Sequence, residues 1–301
     1  MAAKNKNKIR DTIQDRVMYA VINTILILFS LCVLFPLINV LASSFSSSVA
    51  VTTGKVFLWP VDFSLAGYEM IFSHKLILSS YSNTFFYTIV GTINNMIVTI
   101  FAAYPLSRKE LPFRNLFMTL IMITMFFSGG LVPYYLLMNS LHLINTPWVM
   151  ILPGLTAFNV IILRTAFHSI PEELYEAAQI DGCSYWKYLI RVMIPLAKPT
   201  ISVLTLFYAV GNWNRYFEAL IFLKDRSLFP LQVVLREILT RASVQLSDMT
   251  TSNAAELANM QGMAELIKYA LIVVATVPIL IVYPFIQRYF VKGVMVGSLK
   301  G

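Results

Sequence analysis

Charge is scarce in this sequence. Only 13% of its 301 residues are Asp, Glu, Lys or Arg, about half of the roughly 25% usual in soluble domains. Cysteine is almost absent. Cys32 falls in an apolar run and Cys183 in a polar stretch, which leaves no disulfide framework and no zinc-ligand spacing. The three histidines, His74, His142 and His168, are isolated, and H-E-x-x-H does not occur. No G-x-x-x-x-G-K-[ST] phosphate loop is present, so the sequence offers no phosphate-binding loop of that kind. Internal symmetry of the kind inverted-repeat transporters carry is not evident either.

Apolar surface is what the chain has instead. Hydrophobic residues make up 57% of it, with a mean hydropathy of +0.70. That predicts an all-α integral membrane protein. A basic head, residues 1–16, precedes a first apolar run at 17–42. This run exceeds the roughly 7–15 residues of a signal-peptide core, so an uncleaved span is expected. Residues 43–80 mix serines with Trp59, Tyr68 and Phe72, which fits a segment lying at the membrane interface. Further spans are expected at 83–106, 115–138, 147–167, 200–223 and 266–290. Gly129, Gly130 and Pro133 predict a kink or partial unwinding late in the third. The long connection 224–264 has room for helices at 231–240 and 254–263. The organisation read from this is a head (1–16), a six-span domain (17–290) and a tail (291–301).

Six spans put both termini on one side, and Lys and Arg decide which. On the side of the termini lie Lys4, Lys6, Lys8, Arg10, Arg16, Arg108, Lys109, Arg114, Arg164, Lys187, Arg191, Lys198, Arg288, Lys292 and Lys300. The other side holds only Lys55, Lys75, Lys224, Arg226, Arg236 and Arg241. Cytoplasmic loops are enriched in these residues, so both termini and the polar stretch 169–199 are expected in the cytoplasm.

That stretch carries helix-boundary signals. Pro171 suits a first helical position, and Glu172 and Glu173 complement the helix dipole. Gly182 can end a helix in the left-handed conformation, and Ser184 can cap the next. Pro195 and Pro199 end or kink that second helix. Glu176-Ala177-Ala178, then Gly182 four residues on, then Val192-Met193-Ile194-Pro195 resembles the EAA signature of permease subunits of binding-protein-dependent ABC importers. Asp181 and Trp186 match the carbohydrate branch, and Val192 and Ile194 stand at its aliphatic positions. The tail from Arg288 to Gly301 resembles that of maltose-type second permeases, and Phe127 to Pro133 resembles a subgroup for complex-polysaccharide or oligosaccharide uptake.

The resemblance implies a type I ABC importer permease fold in a bacterial cytoplasmic (inner) membrane. It implies that Glu176, Ala177, Ala178, Asp181 and Gly182 couple to an ATPase, whose closure would move the docking helix as a lever. The implied partners are a second permease subunit in a heterodimer, two ATPase subunits and an extracytoplasmic solute-binding protein. ATP and Mg would then sit on the ATPases, and this chain would be non-catalytic and hold no cofactor or metal. Read by itself, Glu176 could equally pair with Lys187 or Arg191.

Ionisable groups inside a span mark a pathway or a buried pair. Asn212, Trp213, Asn214, Arg215, Tyr216 and Glu218 crowd the fifth span, with Asn94 and Asn159 as weaker candidates. Rings stack on sugar C–H faces and amides bond hydroxyls, so these residues suit a saccharide pathway. Arg215 and Glu218, three apart, can pair on one helix face; alternatively Arg215 faces the cavity and attracts an acidic, uronate-type oligosaccharide. A self-contained secondary sugar transporter or channel is the other functional class, and it calls for internal symmetry or carboxylate relays.

Overall fold

The structure, a computed structural model, describes residues 12–247 and 254–298. Lys4, Lys6, Lys8 and Arg10 of the head and Lys300 of the tail lie outside the described residues. The helices in chain order are α1 (Ile13–Ser44), α2 (Ser48–Thr52), α3 (Ala66–Phe72), α4 (Ile77–Ser107), α5 (Arg114–Phe126), α6 (Leu131–Ser140), α7 (Trp148–Ile151) and α8 (Ala157–His168). They continue as α9 (Glu173–Ile180), α10 (Tyr185–Tyr188), α11 (Ile194–Leu196), α12 (Lys198–Trp213), α13 (Phe217–Phe222), α14 (Leu231–Ser247) and α15 (Ala254–Ser298). No strand occurs among the described residues.

Three helices are long and apolar enough to cross a bilayer: α1, α4 and the 260–284 part of α15. Two bent pairs raise the number to five if each is one span: α5 with α6 at 115°, and residues 185–196 with α12 at 83°. The expected 147–167 span is divided. Pro153 and Gly154 interrupt it, and α8 has only 12 residues, about 18 Å against a hydrocarbon core of about 30 Å. The 254–263 helix expected in the long connection is instead the start of α15, which runs on through Pro278 and Pro284 into the tail. The expected 200–223 span also breaks: α12 stops at Trp213, and α13 resumes at Phe217.

The chain divides into two compact units, one holding residues up to 71 with 242–273, the other 72–241 with those from 274 on. In the first, Thr12 and Asp15 form a reciprocal capping box that starts α1. The serines after α1 turn inward: Ser46 Oγ donates to Ala42 O at 2.7 Å, and Ser44 Oγ meets Tyr68 OH at 2.8 Å. Trp59 stays 81% exposed, as an interface aromatic does.

In the second unit α4 is the spine. Its buried residues recur every three or four positions: Thr84, Tyr87, Gly91, Asn95, Thr99, Ala103 and Leu106. This is a stripe of small and polar side chains, the kind that lets membrane helices approach and bond laterally. α8 and α12 pack on it, and Val160, Leu163, Phe167 and Leu204 fill the seam. The 224–231 segment is tied to the first turns of α4. Asn83 Nδ2 donates to Phe229 O at 3.2 Å, Tyr87 OH to Leu228 O at 2.9 Å, and Leu231 N to Thr84 Oγ1 at 2.7 Å. The end of α8 and the polar stretch 169–199 are tied to the other end: Arg164 Nε donates to Leu106 O at 3.3 Å, His168 Nδ1 lies 3.3 Å from Ser107 O, and Lys109 pairs with Glu172. Thr84 and Ser107 are about 35 Å apart along the helix, so these two regions stand at opposite ends of a membrane-length span.

Candidate functional site

Two places matter, one at each depth. The first is α9 and its flanks. α9 begins two residues after Pro171, whose carbonyl accepts the Leu174 N–H at 3.4 Å. Glu173 and Glu176 lie in its first turn. Gly182 sits at φ +67°. Its N–H donates to Gln179 O and that of Cys183 to Ala178 O, both at 2.9 Å, so a Schellman motif closes the helix. Ser184 Oγ then accepts from Lys187 N at 3.4 Å and opens α10. A π turn over Leu189–Met193 precedes Pro195, where the proline ring crowds the preceding turn.

One face of α9 packs inward and the other is bare. Tyr175 is 5% exposed, and Ala178 packs beside it against the core. Glu176, Ala177, Asp181 and Gly182 are exposed, next to an uncovered Leu174 and Ile180. Glu176 forms no ion pair with Lys187 or Arg191 among the described residues. The helix therefore offers a small-residue, acid-flanked face to whatever docks there.

Sequence reasoning missed what holds α9 in place. The Arg108 guanidinium lies 3.5 Å from the centroid of the Tyr175 ring and 5.9 Å from that of Tyr188. Arg108 Nη2 also donates to Glu110 Oε1 at 2.9 Å, and Lys109 pairs with Glu172. The loop after α4 thus clamps the inner face of α9. Burial pushes the Tyr175 phenol up to about 12, and the neighbouring Tyr185 adds to the shift against the pull of Arg108. The cationic loop 107–114 was visible in the sequence; its pairing with one tyrosine was not, since nothing in spacing links residues 108 and 175.

The second place is a cavity of about 430 Å³ in the α8–α12 region. Asn159, Tyr208, Asn212, Arg215, Glu218 and Thr156 supply its polar wall, with Phe158 and Phe207 beside them. Asn212 is 5% exposed, and its Nδ2 donates to Thr92 Oγ1 at 3.2 Å. Tyr208 OH accepts from Thr156 N at 3.3 Å and stands 2.7 Å from Thr99 Oγ1. Arg215 is placed for both a cavity contact and a pair with Glu218. It faces this cavity, and its Nε lies 4.0 Å from Glu218 Oε1. Its Nη1 also donates to Met150 O at 2.9 Å and Pro153 O at 3.2 Å. Those carbonyls are free because the span breaks after α7, so the guanidinium satisfies a broken helix end.

Not every expected pathway residue lines this cavity. Asn94 donates to Ile151 O at 3.1 Å and caps the same broken end. Trp213 is 4% exposed, donates to Ala275 O at 3.0 Å, and borders an apolar cavity of about 370 Å³ instead. Asn214 turns back to Val210 O at 3.0 Å. Tyr216 is 41% exposed and carries the Arg236 guanidinium 5.3 Å from its ring centroid. Tyr208 and Thr156 belong to the site, and no sequence signal marked them out from other polar residues in spans. Among the described residues no group of three or more His, Cys, Asp or Glu could hold a metal.

Known proteins share this architecture. The family profile described as "Binding-protein-dependent transport system inner membrane component" matches residues 76–296. Protein LplC of Bacillus subtilis (strain 168) is 41% identical over 269 residues, 89% of this chain and 90% of that protein. The polygalacturonan/rhamnogalacturonan transport system permease protein YtcP of the same strain is 40% identical over 289 residues, 96% of this chain and 100% of that protein. One chain of a bacterial ABC transporter involved in the import of the acidic polysaccharide alginate superposes with a TM-score of 0.79 at 36% identity, covering 94% of this chain and 100% of that chain. With its broken spans, its capped and outward-facing α9 and its polar cavity at membrane depth, the chain belongs to the family of inner-membrane permease components of binding-protein-dependent transport systems.

Proposed function

We propose that this chain is one of two permease subunits of an importer that carries an acidic oligosaccharide into the bacterial cytoplasm. The observation that carries the substrate class is Arg215 in the wall of a polar cavity of about 430 Å³. A cation kept at membrane depth is costly unless it serves a pathway or a partner, and this one faces both. The amides of Asn159 and Asn212 and the hydroxyl of Tyr208 suit sugar hydroxyls. Relatives named for polygalacturonan/rhamnogalacturonan and alginate transport support the acidic class.

In this reading the remaining parts come from other chains. Two ATPase subunits bind ATP and Mg and grip the α9 face formed by Glu176, Ala177, Ala178, Asp181 and Gly182. A second permease closes the pathway, and an extracytoplasmic binding protein delivers the saccharide. Both termini face the cytoplasm, and the head, six-span and tail organisation follows. The chain itself performs no covalent chemistry. The test is reconstitution of the four-subunit complex with its binding protein in liposomes. ATP-dependent accumulation of a uronate oligosaccharide is expected; uptake that persists without ATP and collapses with the proton gradient would overturn the reading.

A further inference from the structure

The end of α4 opposite α9 carries a group of cationic side chains. α14 and the segment before it are fixed to the first turns of α4 through Thr84 and Tyr87. Arg226 and Arg241 share one carboxylate, Glu237; Arg241 Nη2 donates to its Oε1 at 2.7 Å. Two guanidinium groups on one acid leave a positive charge over. Arg236, one residue before Glu237, has no carboxylate partner among the described residues. It lies instead on the Tyr216 ring, 5.3 Å from guanidinium carbon to centroid. A guanidinium stacked on an aromatic face keeps its N–H edge free for a planar anion. Tyr216 directly follows Arg215 in the chain, and Arg215 lines the cavity.

We propose that the Tyr216–Arg236 pair is an outer anion site that receives a sugar carboxylate before it reaches Arg215. This deepens the acidic-oligosaccharide reading and rests on it. A hexuronate presents a carboxylate and, one ring width away, an apolar C–H face. Arg236 would take the first, and the side of the Tyr216 ring not covered by Arg236 would take the second. The site makes Arg236 a specificity-determining residue at the entrance. A neutral saccharide would pass it without the gain.

The test uses the assembled transporter with its binding protein in liposomes and two probes, a galacturonate trisaccharide and its methyl ester. The readout is the variant-to-wild-type ratio for each probe, so the preference of the binding protein cancels. Arg236→Gln is expected to lower uptake of the acid, measured well below saturation, about three- to fivefold, the worth of one exposed charge pair, and to leave the ester unchanged. Arg236→Lys should restore part of the loss, and raising salt should shrink it. Equal loss for acid and ester, or no loss for either, overturns the proposal while wild-type uptake of the acid still stands. A variant that only needs more binding protein for half-maximal ATPase stimulation makes this a docking surface and also overturns it. Wild-type liposomes that take up neither probe defeat the acidic-oligosaccharide reading itself, and this proposal with it.

Discussion

Two glycines carry constraints that other residues cannot meet, for different reasons. At Gly182 a Cβ would meet nothing within 4 Å, so space is not the issue; the backbone at φ +67° is. A β-branched residue there pays the left-handed penalty of about 1–2 kcal/mol, and asparagine pays less. Gly182→Val is expected to fray the end of α9 and reduce transport per ATP hydrolysed, with Gly182→Asn close to wild type. Measuring the ratio of uptake to hydrolysis in the reconstituted complex checks this; equal effects of the two would show that backbone strain is not the cause. At Gly154 the backbone is not the issue but the space is. An added Cβ would stand 2.3 Å from Asn95 Oδ1. Asn95 is 2% exposed, and its Oδ1 has no hydrogen-bond partner among the described residues. Gly154→Ala should therefore cost about 1–3 kcal/mol by overpacking. Asn95→Ala should be mild alone and should rescue Gly154→Ala. A double-mutant cycle on thermal unfolding in detergent measures the coupling; additive losses would mean the two do not touch.

At the scale of elements, the clamp on α9 decides how motion at a docking surface could reach the membrane. Arg108 is 13% exposed at its side chain and sits on the C-terminal end of α4. Through the Tyr175 ring it joins the inner face of α9 to the helix that carries Thr92, Asn94, Asn95 and Thr99. A partly desolvated cation–π contact is worth about 1–2 kcal/mol. Arg108→Gln is expected to raise amide exchange across 173–181 about tenfold and to leave ATP hydrolysis running with less transport. Arg108→Lys should be intermediate, because its compact charge does not stack as a guanidinium does. Unchanged exchange in 173–181 would remove the clamp from the pathway of coupling. Much of this element was legible in the sequence. Gly182, Ser184 and Pro195 mark its boundaries by local rules, and local rules survive into the structure. The clamp was not legible, because it joins residues 67 positions apart through a ring face, and no periodicity encodes that. The broken spans fell between: Gly129, Gly130 and Pro133 announced the bend between α5 and α6. The interruption at 152–156 needed the tertiary fact that Asn94, Arg215 and Tyr208 satisfy its backbone.

For the whole molecule, what matters is which end of α4 faces which solution. Composition alone identified a helical membrane protein, and Lys and Arg placement suggested the side of each loop. Hydropathy could not see that two expected spans are divided, because apolar residues continue across the breaks. The structure adds a geometric argument that does not depend on counting charges. Lys224 and Cys183 hang from opposite ends of one helix, the first through the 224–231 segment and the second through the stretch that follows α8, whose Tyr175 ring packs on Arg108. The Lys224 side chain is exposed, and its N–H is bonded to Asn145 Oδ1 at 2.8 Å, so the backbone is held while the side chain is free to change. In a Cys32→Ser background, an impermeant maleimide should label Lys224→Cys in intact cells. It should reach Cys183 only after the membrane is opened or from inverted vesicles. Labelling of both from the same side would break the assignment of α9 to the cytoplasm, and with it the placement of an ATPase against Glu176, Ala177 and Gly182.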